Sequence, residues 1–269
     1  MLKLIEMEFL KMKRYHILLI GIIGMTCAPL LQLFSQMVVA EEYKNPHFDM
    51  AALIANTIWG NATIFMPVLL TLVGGYLIDR EYKDDTLKNI LTVPCPFRKF
   101  LAGKLLTLGI LAMLLSVYCY FVTLIIGLFA GLSVGSFPVL FIGFLQMAGL
   151  SVVLYVVVSP FIVFDSRRPG KFMGGSVAAF LYGYSCMFFK EGLLRDIYPV
   201  SAALTMIGFD TANYAGTSER GNILSGAASV GCVAALSVLL FCLAKEPEAV
   251  QRTKRKKGRG RAAFSLREM

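Results

Sequence analysis

The chain has 269 residues, of which 57% are hydrophobic and only 16% charged, with a formal net charge of +9. A mean hydropathy of +0.69 means more apolar surface than a soluble core of this length hides, which excludes an ordinary soluble domain and points to lipid. A basic balance would suit nucleic acid in a soluble protein, but the basic residues here are distributed as topology signals beside apolar runs.

Residues 1–15 read as a helix lying in the membrane interface. Leu2, Ile5, Phe9 and Met12 fall within one arc of a helix opposite Lys3, Glu6, Lys13 and Arg14, with Leu10 interrupting the polar side. Apolar runs follow at 16–39, 51–78, 104–130, 138–164, 172–189 and 222–244. Most of them reach the ~20 residues that cross ~30 Å of hydrocarbon, so residues 16–244 are predicted to form one membrane domain of six helical spans. The first run is longer than a signal sequence and lacks a small-residue cleavage site, so it is expected to remain as the first span. Residues 245–269 form a basic tail containing Arg252-Thr-Lys-Arg-Lys-Lys-Gly-Arg-Gly-Arg261. A basic run directly after a span fixes orientation or meets anionic lipid more often than it binds nucleic acid, and no nucleic acid partner is expected.

An even number of spans places both ends on one side. The N-terminal segment, the 79–104 loop, the 165–171 loop and the tail carry all of the 26 Lys and Arg residues except Lys44, Lys190, Arg195 and Arg220. By the positive-inside rule that richer face, with both termini, is cytoplasmic, giving a multi-pass protein of the plasma membrane. Six cysteines, Cys27, Cys95, Cys119, Cys186, Cys232 and Cys242, show no C-x-x-C spacing and mostly lie in apolar runs, so neither disulfides nor a metal site is expected.

The apolar runs contain almost no Asp, Glu, Lys or Arg, and the two histidines are His16, at a span edge, and His47, in a loop. An ion-coupled carrier needs an intramembrane ionisable group, and an intramembrane hydrolase needs a metal cluster or a nucleophile with its base. Neither arrangement can be drawn, and no catalytic residue is expected. The second span does carry Asn56, Thr57, Trp59, Asn61 and Thr63, and the first carries Gln32 and Gln36. Gln36, Asn56, Trp59 and Asn61 are candidate lining for a substrate path, with interhelical hydrogen bonding as the alternative role. Gly175, Ala179 and Gly183, and also Gly127 and Gly131, recur at helical spacing, which fits close packing inside the chain or a dimer seam.

The most informative stretch is residues 78–94, IDREYKDDTLKNILTVP, continuing into CPFRKFLAGKL. Asp84 or Asp85 is placed to cap a short helix whose Leu87, Ile90 and Leu91 share a face, and Pro94 and Pro96 stop it. This loop resembles the one after the second span in permeases of the type-2 ATP-binding-cassette exporters, closest to the bacitracin-resistance and lantibiotic-immunity branch of bacteria. The resemblance implies an all-α fold of six transmembrane helices with a cytoplasmic coupling helix and short re-entrant helices between spans five and six, where IYPVSAALTMIGF at 197–209 is too short to cross. It implies contact with a nucleotide-binding ATPase subunit through Glu81, Lys83, Asp84, Asp85, Thr86, Leu87 and Lys88, and pairing with a second permease copy or a sister permease. No G-x-x-x-x-G-K-[ST] occurs in the chain, so ATP and Mg are expected on the partner ATPase and no cofactor on this chain, which is read as a non-catalytic subunit. Spans poor in charge suit an amphipathic or lipid-like cargo, such as a peptide antibiotic. The competing reading is a non-transporting membrane anchor in a signalling or envelope complex.

Overall fold

A computed structural model of the chain describes residues 2–13, 16–40, 42, 48–83, 97–166, 170, 172–189, 192–211, 214 and 221–244. The described residues are helical, with no strand among them. Helix α1 (Leu2–Lys13) precedes α2 (Ile17–Val38), and α3 (Met50–Gly60) runs through a π-helical turn (Asn61–Phe65) into α4 (Met66–Lys83). Then come α5 (Phe97–Phe129), α6 (Phe137–Asp165), α7 (Phe172–Tyr184) with a 3-10 turn at Ser185–Phe188, α8 (Gly192–Ile197), α9 (Pro199–Met206) and α10 (Ile223–Cys242).

Five helices are long and apolar enough to cross a membrane: Ile17–Val38, Met50–Glu81, Phe97–Phe129, Phe137–Asp165 and Ile223–Cys242. The predicted fifth span at 172–189 is a shorter apolar helix, Phe172–Phe188, reaching about 25 Å at ~1.5 Å per residue. Two predicted boundaries move, for the same reason. No Pro or Gly separates Ile78 from Lys83, so α4 continues past the predicted end of its span; beyond Pro96, α5 starts at Phe97 rather than near 104. Arg98, Lys99 and Lys104, read as loop charges, therefore lie on a helix. The predicted coupling helix around Asp84–Lys88, with Leu87, Ile90 and Leu91, and the tail 245–269 lie outside the described residues.

The α3–α4 helix is the axis of the bundle, with 72% of its apolar window buried inside the chain, whereas only 17% of the α10 window is. Rows of exposed Leu, Ile, Val and Phe on α2, α5, α6, α7 and α10 are consistent with lipid as their solvent. Within the bundle the hydroxyls are satisfied by backbone carbonyls. Thr57, Thr63, Thr71, Thr107 and Thr123 each donate four residues back along their own helix, while Ser116, Tyr120 and Tyr155 donate across to Met147 O, Leu140 O and Leu105 O. Asp49 caps α3 by accepting from Ala52 N at 2.8 Å, and Asn222 caps α10 from Leu224 N at 2.9 Å.

Pro67 accounts for the wide turn in the axis. It has no N–H to give the carbonyl of Thr63, and its ring crowds that carbonyl, so the helix opens into i→i+5 spacing, as in Met66 N to Asn61 O. The exposed side of this turn is closed by Gly183 of α7, where a Cβ would stand 2.4 Å from Thr63 O and 2.9 Å from Pro67 Cγ. Gly175, Ala179 and Gly183 pack inward and Gly127 faces Met50 and Leu53, which meets the reading of packing within the chain for these four, whereas Gly131 has open space around it. Gly183→Ala is expected to cost roughly 1–3 kcal/mol by overpacking against backbone. Thermal unfolding of the purified chain checks this, with Gly231→Ala on the open face of α10 expected to be close to neutral.

Candidate functional site

Four charged side chains meet where α1 crosses the end of α4 and the start of α5. Lys104 Nζ lies 2.7 Å from Glu8 Oε2 and 3.2 Å from Glu81 Oε1, and Lys11 Nζ lies 2.9 Å from Glu81 Oε1 and 3.5 Å from Glu8 Oε1. The side chains of Lys104, Glu8 and Glu81 are 3%, 6% and 8% exposed, and that of Lys11 is 33% exposed. Local sequence explains the placement. Phe97, Phe100, Leu101, Lys104, Leu108 and Leu111 form one buried stripe of α5, and Leu70, Val73, Leu77 and Glu81 do the same on α4, so helical periodicity delivers both charges to the interior.

Two carboxylates and two ammonium groups cancel, which is the condition under which such charges tolerate burial. The ring of Phe100 lies 5.0 Å from Lys104 Nζ and adds a cation–π contact. Burial draws the Lys11 pKa down, but the hydrogen bond it donates to Glu81 and the charges of both glutamates outweigh it and hold this ammonium above the ordinary lysine range. Next to the cluster, buried Asp79 pairs with Lys83 at 2.9 Å and accepts from the backbone N–H of Gly170. The last turn of α4 is thereby tied to α1, to α5 and to the turn between α6 and α7. The helices before and after residues 84–96 are thus joined to each other and to α1 by the same cluster.

Of the residues assigned to the ATPase contact, Glu81 and Lys83 are in the last turn of α4. Glu81 is turned inward onto Lys104 and Lys11, and Lys83 is exposed beside Asp79. Asp84, Asp85, Thr86, Leu87 and Lys88 lie outside the described residues. On α1, Met12 is buried and Phe9 packs partly buried against the core, as does the pair Glu8 and Lys11, which the amphipathic pattern does not single out. Their signal was present: Glu8 flanks the apolar arc beside Met12, three residues from Lys11.

At the other end of the axis a cavity of about 640 Å³ is lined by Ala55, Asn56, Gln146, Phe209, Asp210 and Tyr214, among others. Tyr214 donates to Asn56 Oδ1 at 2.5 Å and stacks on Trp59, with ring centroids 5.3 Å apart and planes 24° from parallel. Burial raises the Tyr214 phenol to about 12, so it stays a neutral donor. Gln146 donates to Gly208 O at 3.1 Å across the same opening. Asn56 and Trp59 are thus gathered at one site. Asn61 lies deeper and lends its amide to Cys119 Sγ and Met147 Sδ at 3.3 and 3.4 Å, its Oδ1 buried without a partner. Gln36 lies on α2, away from the cavity lining.

The family model for ABC-2 family transporter proteins matches residues 4–186. A bacitracin transport permease protein of Bacillus licheniformis is 36% identical over 94 residues, which cover 35% of this chain and 45% of that protein. The matched stretch spans less than half the length of that relative. No solved structure matches the chain.

Removing one member of the cluster strands the others in the interior. Lys104→Met is expected to destabilise the protein by about 3–5 kcal/mol. Adding Glu8→Leu, which leaves the Lys11–Glu81 pair intact, is expected to restore most of that loss in thermal unfolding.

Proposed function

This chain belongs to the ABC-2 transporter family, and we propose that it is the membrane permease subunit of an exporter driven by ATP hydrolysis on a separate polypeptide. The observation that carries this reading is the charge cluster that ties α4 and α5, the helices flanking residues 84–96, to α1. A segment held in that way is a lever: force applied to it by a partner passes at once into α4 and α5. The acidic and basic residues Asp84, Asp85 and Lys88, with Thr86 and Leu87, form its partner-facing part, whereas Glu81 serves as its inner anchor.

In this reading the positive-rich face is cytoplasmic, α1 with residues 1–15 lies in the interface, and residues 16–244 form the permease domain with Phe172–Phe188 as its sixth, shorter span. Helices α8 and α9, of 6 and 8 residues, are re-entrant elements on the outer side. The tail 245–269 adds cytoplasmic positive charge next to anionic lipid. Six spans make half a pore, completed by a second copy or a sister permease. Asn56, Trp59, Gln146 and Tyr214 face the outer opening, and a bundle with few unpaired charges suits amphipathic or lipid-like cargo, a peptide antibiotic met in resistance or self-immunity being the case that the bacitracin permease relative suggests.

The test is affinity purification of the tagged chain from its native membranes. An ATPase subunit is expected to co-purify with the wild type and to be lost when residues 84–95 are replaced by a Gly/Ser segment of equal length. Undiminished co-purification of the ATPase would contradict the lever, and a kinase or envelope enzyme in its place would favour a membrane anchor.

A further inference from the structure

A second cavity, of about 460 Å³, opens between the ends of α6 and α10 and the start of α7. Its walls include Phe161, Phe164, Ala178 and Leu240, with Asp165 the one titratable side chain among the lining residues. Asp165 is half-buried, and its Oδ2 is shut off from solvent with no hydrogen-bond partner. A carboxylate at the edge of an apolar span with an unsatisfied oxygen is costly in isolation and marks a place where a cation belongs. Gly175 makes room for it, since a Cβ at that position would fall 1.7 Å from Oδ2.

Among the described residues, the buried carboxylates at this end of the bundle have partners, Glu8 and Glu81 in the central cluster and Asp79 with Lys83 and Gly170 N. A divalent metal is a poor fit, because it requires several oxygen ligands, and no group of three or more metal-binding side chains occurs among the described residues. A single carboxylate over aliphatic and aromatic walls matches a monovalent organic cation with an apolar body.

We propose that this cavity binds the ammonium group of an amphipathic amine. The head group donates to Asp165 from the cavity side, and the hydrocarbon lies along Phe161, Phe164, Ala178 and Leu240. The site is separate from the outer opening around Tyr214 and from the charge cluster, and it does not depend on the exporter reading. Two sources supply this chemistry, the amine of phosphatidylethanolamine and a free long-chain amine.

The intact chain in phosphatidylcholine nanodiscs is incubated with dodecylamine or with dodecanol, and the ligand retained is counted by native mass spectrometry. Dodecylammonium is expected to be held roughly tenfold more tightly than the neutral alcohol, the scale of one charge-assisted hydrogen bond. Asp165→Asn should abolish that preference and Asp165→Glu should keep it. Ala178→Trp, on the open side of α7, should displace the amine by filling the cavity, and this variant carries the test if Asp165→Asn does not fold. In mixed discs, enrichment of phosphatidylethanolamine over phosphatidylcholine identifies the lipid as the source; dodecylamine binding without that enrichment identifies the free amine. Equal retention of amine and alcohol, an undiminished preference in Asp165→Asn, or unchanged binding in Ala178→Trp would overturn the proposal.

Discussion

Charges removed from water inside a lipid-soluble bundle must be neutralised by one another, and the rest of the structure depends on how Glu8, Lys11, Glu81 and Lys104 meet that constraint. They come from three parts of the chain: Glu8 and Lys11 from α1, Glu81 from the end of α4 and Lys104 from the start of α5. Their burial therefore fixes the relative position of three helices more tightly than apolar packing alone, because a slip of one residue along any of them would leave a buried charge unmatched. An apolar interface tolerates such a slip at modest cost. This one requires its elements to move together.

The α3–α4 axis joins this cluster to the cavity beside Tyr214. It is the most enclosed of the long helices, and its π-helical turn at Asn61–Phe65 separates the half anchored by Glu81 from the half carrying Asn56 and Trp59. The turn exists because Pro67 cannot satisfy Thr63, and it is filled from the side by the Gly183 face of α7. The two ends differ in kind. Charge-assisted bonds hold the Glu81 end, whereas neutral hydrogen bonds and stacked rings surround an open cavity at the Asn56 end.

Much of the helical plan was legible in the sequence, because runs of about 20 apolar residues leave few alternatives. The predicted run at 138–164 corresponds to Phe137–Asp165, and that at 222–244 to Ile223–Cys242. Hydropathy fails where a helix continues beyond the apolar zone. Glu81 and Lys104 ended or interrupted the hydrophobic windows and so were assigned to a loop, although each lies three or four residues from buried Leu77, Leu101 and Leu108 on the same helical face. The periodicity carried that information and the window average erased it. Asn56 and Trp59 were recognisable as polar and aromatic residues within a span, but their partner Tyr214 is 158 residues from Asn56, and no local pattern announces such a contact. Asp165 stands at the edge of its run, where a charge ordinarily reaches water, so hydropathy alone does not single it out.

The direct measurement is a distance between spin labels on Met7 in α1 and Lys99 in α5, both exposed beside the cluster, taken in the proposed complex with an ATPase subunit before and after nucleotide is trapped. If the cluster makes these helices one body, that distance stays constant through the cycle while the Lys99-to-Lys99 distance between the two permease halves changes. Separation of Met7 from Lys99 on nucleotide binding would show that the charges do not clamp the lever, and the account would fail.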